Sequence, residues 1–296
     1  MHVYVHGNCQ APALAAMLAQ VYPEWRIDAY ECFNTKIVDE IETYRDIVAN
    51  ADILLCQPIH EGYRGRDDLS LGFVRANAKP GAALVVIPSL HFDGQLVSWR
   101  SVGIPGYGMD YQDMTLFQLA AAGLGAEAVV DILMDEALYP EAFVAREIEI
   151  ALDEARRRER EDGVDVRATD YLAGRVRAEP LFHVINHPVR APLVHVANAA
   201  LAALGQPRRV AAEGADLLPI PHVPLAPSVA RALGLEVDPH FQIPGERLTR
   251  PEYYRRAVER LQSLPREKLR AGLLHPAALP FLDRLAQAVP GLPGRA

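Results

Sequence analysis

Short apolar runs alternate with helical stretches through the first ninety residues, and this alternation constrains the fold more than any other feature. The spacing of apolar residues predicts β-strands over 3–6, 25–30, 52–57 and 82–87, with helices over 13–21, 37–48 and 67–76. Strands joined by helices form parallel sheets that are covered on both faces. The sequence therefore predicts an α/β fold built on a small, mainly parallel sheet with flanking helices.

The rest of the chain has the periodicity of helices. Periodic stretches cover 114–122, 126–138, 140–161, 193–204, 251–264 and 277–289, and an extended segment covers 180–187. We expect an α/β unit over residues 1–125 and a predominantly helical part over 126–296 that packs on it as one continuous globular unit. The charged run 153–162 (DEARRRERED) is typical of a solvated helix face.

Composition limits the classes of function. The formal net charge of -8 argues against a nucleic-acid-binding protein, which needs clustered lysine and arginine. Three cysteines at irregular spacing give neither a disulfide framework nor a metal-binding motif, which favours a reducing compartment. We find no pattern of a signal peptide and no apolar run as long as a membrane helix. We therefore expect a cytoplasmic protein without a transmembrane segment.

Polar residues follow three of the predicted strands at the point where each strand ends. The segments read HGNCQ after the first strand, CQPIHEGY after the third and PSLHFDG after the fourth. Ligands of open α/β sheets bind beyond the carboxyl ends of the strands. We therefore expect these three segments to face the same crevice.

The turn from the first strand into the first helix carries a candidate nucleophile, Cys9. A helix N-terminus presents unpaired N–H groups and a positive dipole end, which can hold an oxyanion or lower the pKa of a thiol. Gly7 allows tight backbone geometry and close approach of a ligand, while Asn8 and Gln10 supply amide donors for an oxyanion hole. A small buried cysteine with two capping amides explains the same pattern.

A thiol nucleophile needs a base, and three histidines lie near the predicted crevice. His91 is the preferred candidate because Asp93 follows it and can orient or stabilise an imidazole. His60 follows the third strand, and His6 lies only three residues before the thiol. A packing or capping role remains the alternative for each of the three.

Several cations are candidates for binding an anionic group at the crevice. Arg64 and Arg66 follow the third strand, and Arg100 follows the fourth. His187 and Arg190 lie further along the chain, where they can form a polar lip for a substrate or a cofactor phosphate. Surface solubility, or a plain turn or helix cap, explains these residues equally well.

The sequence predicts no metal site and no nucleotide-binding loop. His183 and His187 are four residues apart, a spacing that suits zinc on a helix, but their segment has the pattern of a strand. The glycine motifs of phosphate-binding and dinucleotide-binding loops are absent. The glycine-rich stretch 103–111 indicates only a mobile loop at the crevice.

Five segments together resemble the WcbI family of polysaccharide biosynthesis proteins, most strongly within the first hundred residues. They read HGNCQAPALAAML, ADILLCQPI, VVIPSLHFDG, FHVINHP and IPHVPLAPSVARALGL. The resemblance implies a mixed α/β fold with many helices. It also implies an acetyltransferase that binds coenzyme A as acetyl-CoA and acetylates a sugar hydroxyl in a capsular polysaccharide or exopolysaccharide.

The resemblance transfers to particular residues. Cys9 and Gln10 match the GNCQ signature, and His91 matches the histidine of the PSLHF segment. The implied mechanism uses Cys9 as nucleophile or positioning residue and His91 as base, with Asn8 and backbone N–H groups near Gln10 holding the oxyanion. The family usually has Gly-Tyr-x-Pro after this segment, whereas residues 93–96 here read DGQL, which affects local substrate contacts.

Two other classes of function fit the same residues. With water as the acceptor, the turn would serve a cysteine esterase or deacetylase similar to the SGNH esterases, although a clear DxxH motif near the C-terminus is missing. The chain would alternatively be a non-catalytic module in glycan assembly, with a purely structural GNCQ turn.

Overall fold

The predicted alternation is present as a four-stranded parallel sheet. A computed structural model describes residues 1–34, 37, 39–104 and 111–293 of the chain. The strands are β1 (His2–Gly7), β2 (Arg26–Glu31), β3 (Ile53–Cys56) and β4 (Ala83–Val86), and the helices between them are α1 (Gln10–Val21), α2 (Ile41–Asn50) and α3 (Leu71–Asn77). This arrangement confirms the predicted α/β class.

The order of the strands places the end of β1 at the point where the winding of the sheet reverses. The order is β2-β1-β3-β4, and every pairing is parallel. The chain moves from β1 to one neighbour, β2, and then crosses to the other neighbour, β3. Ligands of such sheets bind at this reversal, beyond the carboxyl ends of the strands. The register sets His6 beside Cys56 and Cys56 beside Val86, so these three strand ends lie along one edge.

Packing of the sheet follows from its alternating side chains. Tyr4 and Leu54 belong to a buried cluster with Tyr44 and Val48 of α2. Right-handed crossovers put α1 on the opposite face, where its small residues Ala11 and Ala13 are buried. The sheet is thereby covered on both faces, as its apolar strands require.

Contacts group the described residues into two compact units. The first comprises Met1–His91, Glu154–Gly174 and His187–Pro219. The second comprises Phe92–Asp153, Arg175–Asn186 and Ile220–Ala296, of which the last three residues lie outside the described part. This grouping does not follow the boundary expected at residue 125, because the chain enters each unit more than once.

The remaining described elements include helices at the predicted stretches, together with three helices and two hairpins that the sequence did not predict. The three unpredicted helices cover residues 169–175, 227–233 and 266–273. The helices are α4 (Met114–Ala121), α5 (Ala126–Met134), α6 (Glu141–Glu161), α7 (Thr169–Arg175), α8 (Arg190–Ala203), α9 (Pro227–Leu233), α10 (Arg250–Gln262), α11 (Arg266–Leu273) and α12 (Leu279–Ala288). The short strands are β5 (Trp99–Ser101), β6 (Tyr111–Asp113), β7 (Phe182–Val184), β8 (His187–Pro188), β9 (His240–Ile243) and β10 (Glu246–Thr249). Strands β5 and β6 pair antiparallel, as do β9 and β10.

Residues 105–110 of the expected glycine-rich loop lie outside the described residues. In the part of the chain that the structure describes, no helix combines the length and the apolar character needed to cross a membrane.

The charged run in α6 is only partly a solvated face. Arg157 is exposed and pairs with Glu154 and Glu161, as expected. Glu159 instead is buried, and its Oε1 accepts hydrogen bonds from the backbone N–H groups of Ala168 at 2.7 Å and Thr169 at 3.0 Å. The solvated-face prediction is therefore wrong for Glu159, because a helix turns successive charges to different sides.

His6 belongs to a polar cluster inside the core. Its Nε2–H donates to the carbonyl oxygen of Leu69 at 2.8 Å, so Nδ1 is the acceptor for the Tyr4 hydroxyl at 3.0 Å. The Cys32 thiol lies 3.4 Å from Nε2, and the ring stacks on Tyr44. Burial lowers the pKa of His6 to about 4, which keeps the imidazole neutral. His6 is thus a structural residue of the core.

The lowered pKa of His6 makes the stability of the protein depend on pH. The unfolded chain, in which this pKa is about 6.5, takes up the proton first as the pH falls. The stabilisation is complete above about pH 6.5 and is lost toward pH 4, by about 3 kcal/mol. Urea unfolding across this range should show that His6→Gln lacks this part of the decline. The exposed His60→Gln variant should retain it, and equal slopes in all three proteins would contradict the assignment.

Candidate active site

The turn between β1 and α1 is held by its own asparagine. The side-chain Oδ1 of Asn8 accepts the backbone N–H of Gln10 at 2.9 Å, and its Nδ2 donates to the Ser89 hydroxyl at 2.9 Å. Its carbonyl oxygen accepts the N–H of Ala11 at 2.9 Å. Asn8 therefore caps the start of the helix and ties the turn to the segment after β4.

The Gln10 side chain joins the same turn to the backbone beside His91. Its Nε2 donates to the carbonyl oxygen of Leu90 at 2.6 Å, and its Oε1 accepts the Leu90 N–H at 3.0 Å. The side-chain amide of Gln10 thus bonds to both the N–H and the carbonyl group of one residue, as the backbone of a neighbouring β-strand would. The Gln10 side chain is buried. The GNCQ and PSLH segments, eighty residues apart, thus form one hydrogen-bonded unit.

Gln57, the residue after β3, completes this frame. Its Nε2 donates to the Oε1 of Gln10 at 3.0 Å, and its Oε1 accepts the N–H of Asn8 at 2.8 Å. A Cβ at Gly7 would lie 2.3 Å from Oε1 of Gln57, which cannot move away because it is buried and hydrogen-bonded. The close approach that Gly7 allows is therefore that of Gln57, and the predicted approach of a ligand has no support here.

The side-chain amides of Asn8 and Gln10 have protein partners, which changes the predicted oxyanion hole. The amide of Gln10 bonds to Leu90 and Gln57, and the amide nitrogen of Asn8 bonds to Ser89. The backbone N–H of Gln10 also has a partner, the side chain of Asn8. Both residues are better described as positioning residues of the turn than as oxyanion donors.

Cys9 is the half-buried residue at the centre of the turn. The backbone N–H groups at this helix end were expected to lower the thiol pKa, but burial and the negative charge of Glu31 raise it to about 11. The Cys9 backbone N–H acts in the opposite direction with a smaller effect. The expected lowering is wrong for the protein as it stands, because loss of water outweighs the helix end.

His91 is placed by a residue that the sequence analysis did not identify. Nη2 of Arg158, in the second half of α6, donates to the His91 carbonyl oxygen at 2.6 Å. Two other histidines are unsuited to the role of base: His6 is in the core, and His60 is exposed and lies 3.4 Å from Asp162. His91 is half-buried and remains the preferred base.

Asp93 and Arg100 have each other as partners. Nη1 of Arg100 lies 3.1 Å from a carboxylate oxygen of Asp93, and its Nη2 lies 3.1 Å from Glu147. The same guanidinium donates to the carbonyl oxygens of Val97 at 2.9 Å and Trp99 at 2.7 Å. The predicted support of His91 by Asp93 and the predicted anion site at Arg100 therefore lack support, because both groups are held in this ion-pair network.

Arg190 is a structural residue of the first unit. Its Nε and Nη2 each donate at 3.2 Å to carbonyl oxygens, those of Ala212 and Ala211. Its backbone N–H donates to Asp216 at 2.6 Å, and its side chain is almost fully buried. The guanidinium fixes the segment after α8, so we do not place a cofactor phosphate on it.

Two other predicted cofactor contacts stay predictions. Arg64 is exposed in the loop after β3, with its guanidinium 5.9 Å from the ring of Tyr63. Its φ of 52° lies in the left-handed region, which a residue other than glycine seldom adopts. Arg64 has no acidic partner in the described part of the chain. His187 lies half-buried on β8.

The two histidines of the FHVINHP segment do not lie on a helix, so their four-residue spacing does not bring them to one helix face. His183 lies on a strand, as the sequence indicates, and its Nδ1 is 3.0 Å from Nδ1 of His222. Among the described residues, no group of three or more His, Cys, Asp or Glu side chains is arranged to hold a metal ion.

The raised pKa of Cys9 predicts how its thiol reacts. Alkylation of Cys9 by iodoacetamide, followed by mass spectrometry, should rise about tenfold per pH unit from pH 7 towards about 11. Glu31→Gln removes a nearby negative charge, so it should shift the curve to lower pH and speed the reaction at pH 8. Glu42→Gln, an exposed carboxylate of α2, is the matched control and should change nothing. A plateau near neutral pH in the wild-type protein would show that the thiol is activated.

Comparison with known proteins identifies the family of the chain and a solved structure with the same fold. The sequence matches the family model described as polysaccharide biosynthesis enzyme WcbI over residues 2–209. No curated protein matches the chain. A solved structure that is 22% identical aligns with a TM-score of 0.82 over 96% of this chain and 98% of that chain, which shows the shared fold. That protein is described as WcbI, a novel polysaccharide biosynthesis enzyme, in a native form without a disulfide bond between coenzyme A and one of its cysteines. Because the family match spans well over half of its residues, this chain belongs to the WcbI family of polysaccharide biosynthesis enzymes.

Proposed function

We propose that this protein transfers an acetyl group from acetyl-CoA to a sugar hydroxyl during synthesis of a capsular polysaccharide or exopolysaccharide. One observation carries the proposal. The Gln10–Leu90 contact holds the turn of Cys9 and the segment of His91 together at the carboxyl edge of the sheet. A nucleophile and a base must be fixed relative to each other, and rigid hydrogen bonds on buried backbone supply that.

The exposure of the three cysteines supports the proposal that the acetyl group is delivered on coenzyme A. In the similar structure, coenzyme A is described in relation to a disulfide bond with a cysteine. Of the three cysteines here, all of which are described, Cys32 and Cys56 are 2% and 0% exposed. Cys9 is the half-buried one, so it is the thiol that a bound thioester would reach. Arg64 is an exposed cation available for a phosphate of coenzyme A.

The proposed reaction has two steps in which His91 carries the proton. Acetyl-CoA supplies an activated acyl group as a thioester. Cys9 gives its proton to His91 while its sulfur bonds to the acyl carbon, and His91 returns that proton to the departing thiolate. The sugar hydroxyl then gives its proton to His91 as its oxygen attacks acetyl-Cys9, and the sulfur of Cys9 leaves and recovers the proton.

The raised pKa of Cys9 fits a thiol that is deprotonated only during the reaction. A neutral buried thiol does not react with passing electrophiles, and it becomes a nucleophile when a base removes its proton. The base must therefore act in the same step as the attack. His91 must therefore be held in a fixed position. Two contacts hold its backbone: Gln10 binds the N–H of the preceding Leu90, and Arg158 binds the carbonyl oxygen of His91.

Intact-mass analysis after incubation with acetyl-CoA tests the proposal. The wild-type protein should gain one acetyl group, and Cys9→Ala should gain none. Cys32→Ala is the matched control and should be acetylated as the wild type is, since its thiol is buried. His91→Gln should bind acetyl-CoA and be acetylated at least about a hundredfold more slowly, as expected for loss of a general base.

The possible outcomes separate the versions of the mechanism. An adduct that persists in Cys9→Ala would exclude Cys9 as the nucleophile. Full turnover by Cys9→Ala with no adduct in either protein would indicate direct transfer, with His91 as base and Cys9 as a positioning residue. If the wild-type protein neither binds acetyl-CoA nor releases coenzyme A from it, the proposed function is wrong.

A further inference from the structure

A small cavity opens beside His91 on the side that faces helix α6. Its volume is about 50 Å3, and one wall is the segment 88–91 that carries His91. The opposite wall consists of the second half of α6, residues 164 and 168, and the start of α7. All of its lining residues belong to the first compact unit. This is several times the space that one water molecule needs, so the cavity has room for a group such as the hydroxyl-bearing edge of a sugar ring.

Much of this wall comes from the end of α6 and the turn that follows it. Ala155, Arg158 and Glu159 lie three or four residues from one another or side by side on α6, and Asp162 follows in the turn after its last residue. Arg158 also bonds to the carbonyl oxygen of His91 at 2.6 Å. The charged run 153–162, which the sequence predicts to be a solvated helix face, therefore supplies one side of the cavity.

Thr169 supplies a buried hydroxyl to the same cavity. Its side chain is 98% buried, since 2% of its surface is exposed, and it lines the space opposite His91. Its Oγ1 has no hydrogen-bond partner among the described residues. An unpaired buried hydroxyl is costly, so native structures keep one where a bound group can pair with it.

The cavity is connected to the nucleophile by two short contacts. Ser89 lines it and accepts a hydrogen bond from Nδ2 of Asn8 at 2.9 Å. Oδ1 of Asn8 lies 4.0 Å from Sγ of Cys9. The cavity is therefore next to the turn that carries the thiol, and His91, which lines it, follows the Leu90 that Gln10 of that turn binds.

We infer that this cavity is the acceptor subsite, where one hydroxyl-bearing edge of a neutral sugar enters between His91, Asp162 and Thr169. The inference rests on the proposed function and adds the class of acceptor to it. The Asp162 carboxylate accepts a hydrogen bond from a sugar hydroxyl, and the Thr169 hydroxyl pairs with a second oxygen of the ring. Arg158 acts as a positioning residue through the backbone of His91.

The charges of the lining favour a neutral sugar over an acidic one. One cation, Arg158, lies among two carboxylates, Glu159 and Asp162. Arg158 bonds to a backbone oxygen, Glu159 accepts two backbone N–H groups, and Asp162 lies 3.4 Å from the exposed His60. A uronate or a phosphorylated sugar edge would bring a further negative charge against two carboxylates in a confined space. Neutral hydroxyls meet hydrogen-bonding groups without this repulsion.

The experiment measures coenzyme A release from acetyl-CoA against the concentration of a probe sugar. The probes are the methyl α-D-pyranosides of glucose, mannose and galactose, with methyl α-D-glucopyranosiduronate as the acidic counterpart. The proteins are the wild type, Thr169→Val, Asp162→Asn and the control Thr43→Val, which changes an exposed threonine of α2. Binding of the same probes without acetyl-CoA is measured in parallel by saturation-transfer NMR.

At least one neutral pyranoside should accelerate release with saturation, and the uronate should not. Thr169→Val should raise the KM for that sugar about three- to tenfold. Its melting temperature should be unchanged or higher, because the substitution removes an unpaired hydroxyl. Asp162→Asn should also raise the KM, and Thr43→Val should match the wild type.

The two readouts separate this inference from the proposed function. Coenzyme A release that no sugar accelerates, with no sugar bound by NMR, overturns the subsite and leaves the donor reaction standing. An unchanged KM in both variants, or equal use of the uronate, also overturns it. Sugar binding that Thr169→Val weakens, without any release of coenzyme A, would retain the subsite and overturn the acetyl transfer.

Discussion

The paired hydrogen bonds between the Gln10 side chain and the backbone of Leu90 are the constraint on which the site depends. They join the end of β1 to the segment after β4, and Gln57 adds the end of β3 to the same frame. Three parallel strands therefore end in one buried amide network rather than in three separate loops. Cys9 lies between Asn8 and Gln10, and His91 directly follows Leu90. The backbones of Cys9 and His91 therefore have little conformational freedom.

Burial gives this site its chemical character. The surroundings that fix the turn also remove water from Cys9, and together with Glu31 they raise the pKa of its thiol. A helix end that would activate an exposed cysteine is too weak to do so here. The proposed reaction, in which a neighbouring base takes the proton at the moment of attack, suits such a thiol, and the cavity proposed for the acceptor is lined by the same histidine.

The sequence predicted the sheet, the turn of Cys9 and the edge shared by three polar segments, because these follow from short-range periodicity and parallel topology. It did not predict what the polar residues bond to. Gln10 and Asn8 looked like donors for a ligand, and they proved to be bonded to Leu90 and Ser89, contacts that span eighty residues or more. Arg158 and Glu159 belong to the charged run 153–162, in which half of the residues are exposed. Only their spacing of three or four residues from other lining residues indicates that they face inward. The pairing of β9 with β10 was missed because these strands read HFQI and ERLT and lack the apolar run that marked the equally short β3 and β4.

The most direct test of the account is amide hydrogen exchange at Leu90, compared between the wild type and Gln10→Leu. We predict that the Leu90 N–H exchanges slowly in the wild type and at least about tenfold faster in the variant. The amides of Val5 and Leu55, in the middle of β1 and β3, should be unchanged, and Gln57→Leu should have a smaller effect at Leu90. A Leu90 amide that stays equally protected without the glutamine would contradict the claim that this contact holds the site together.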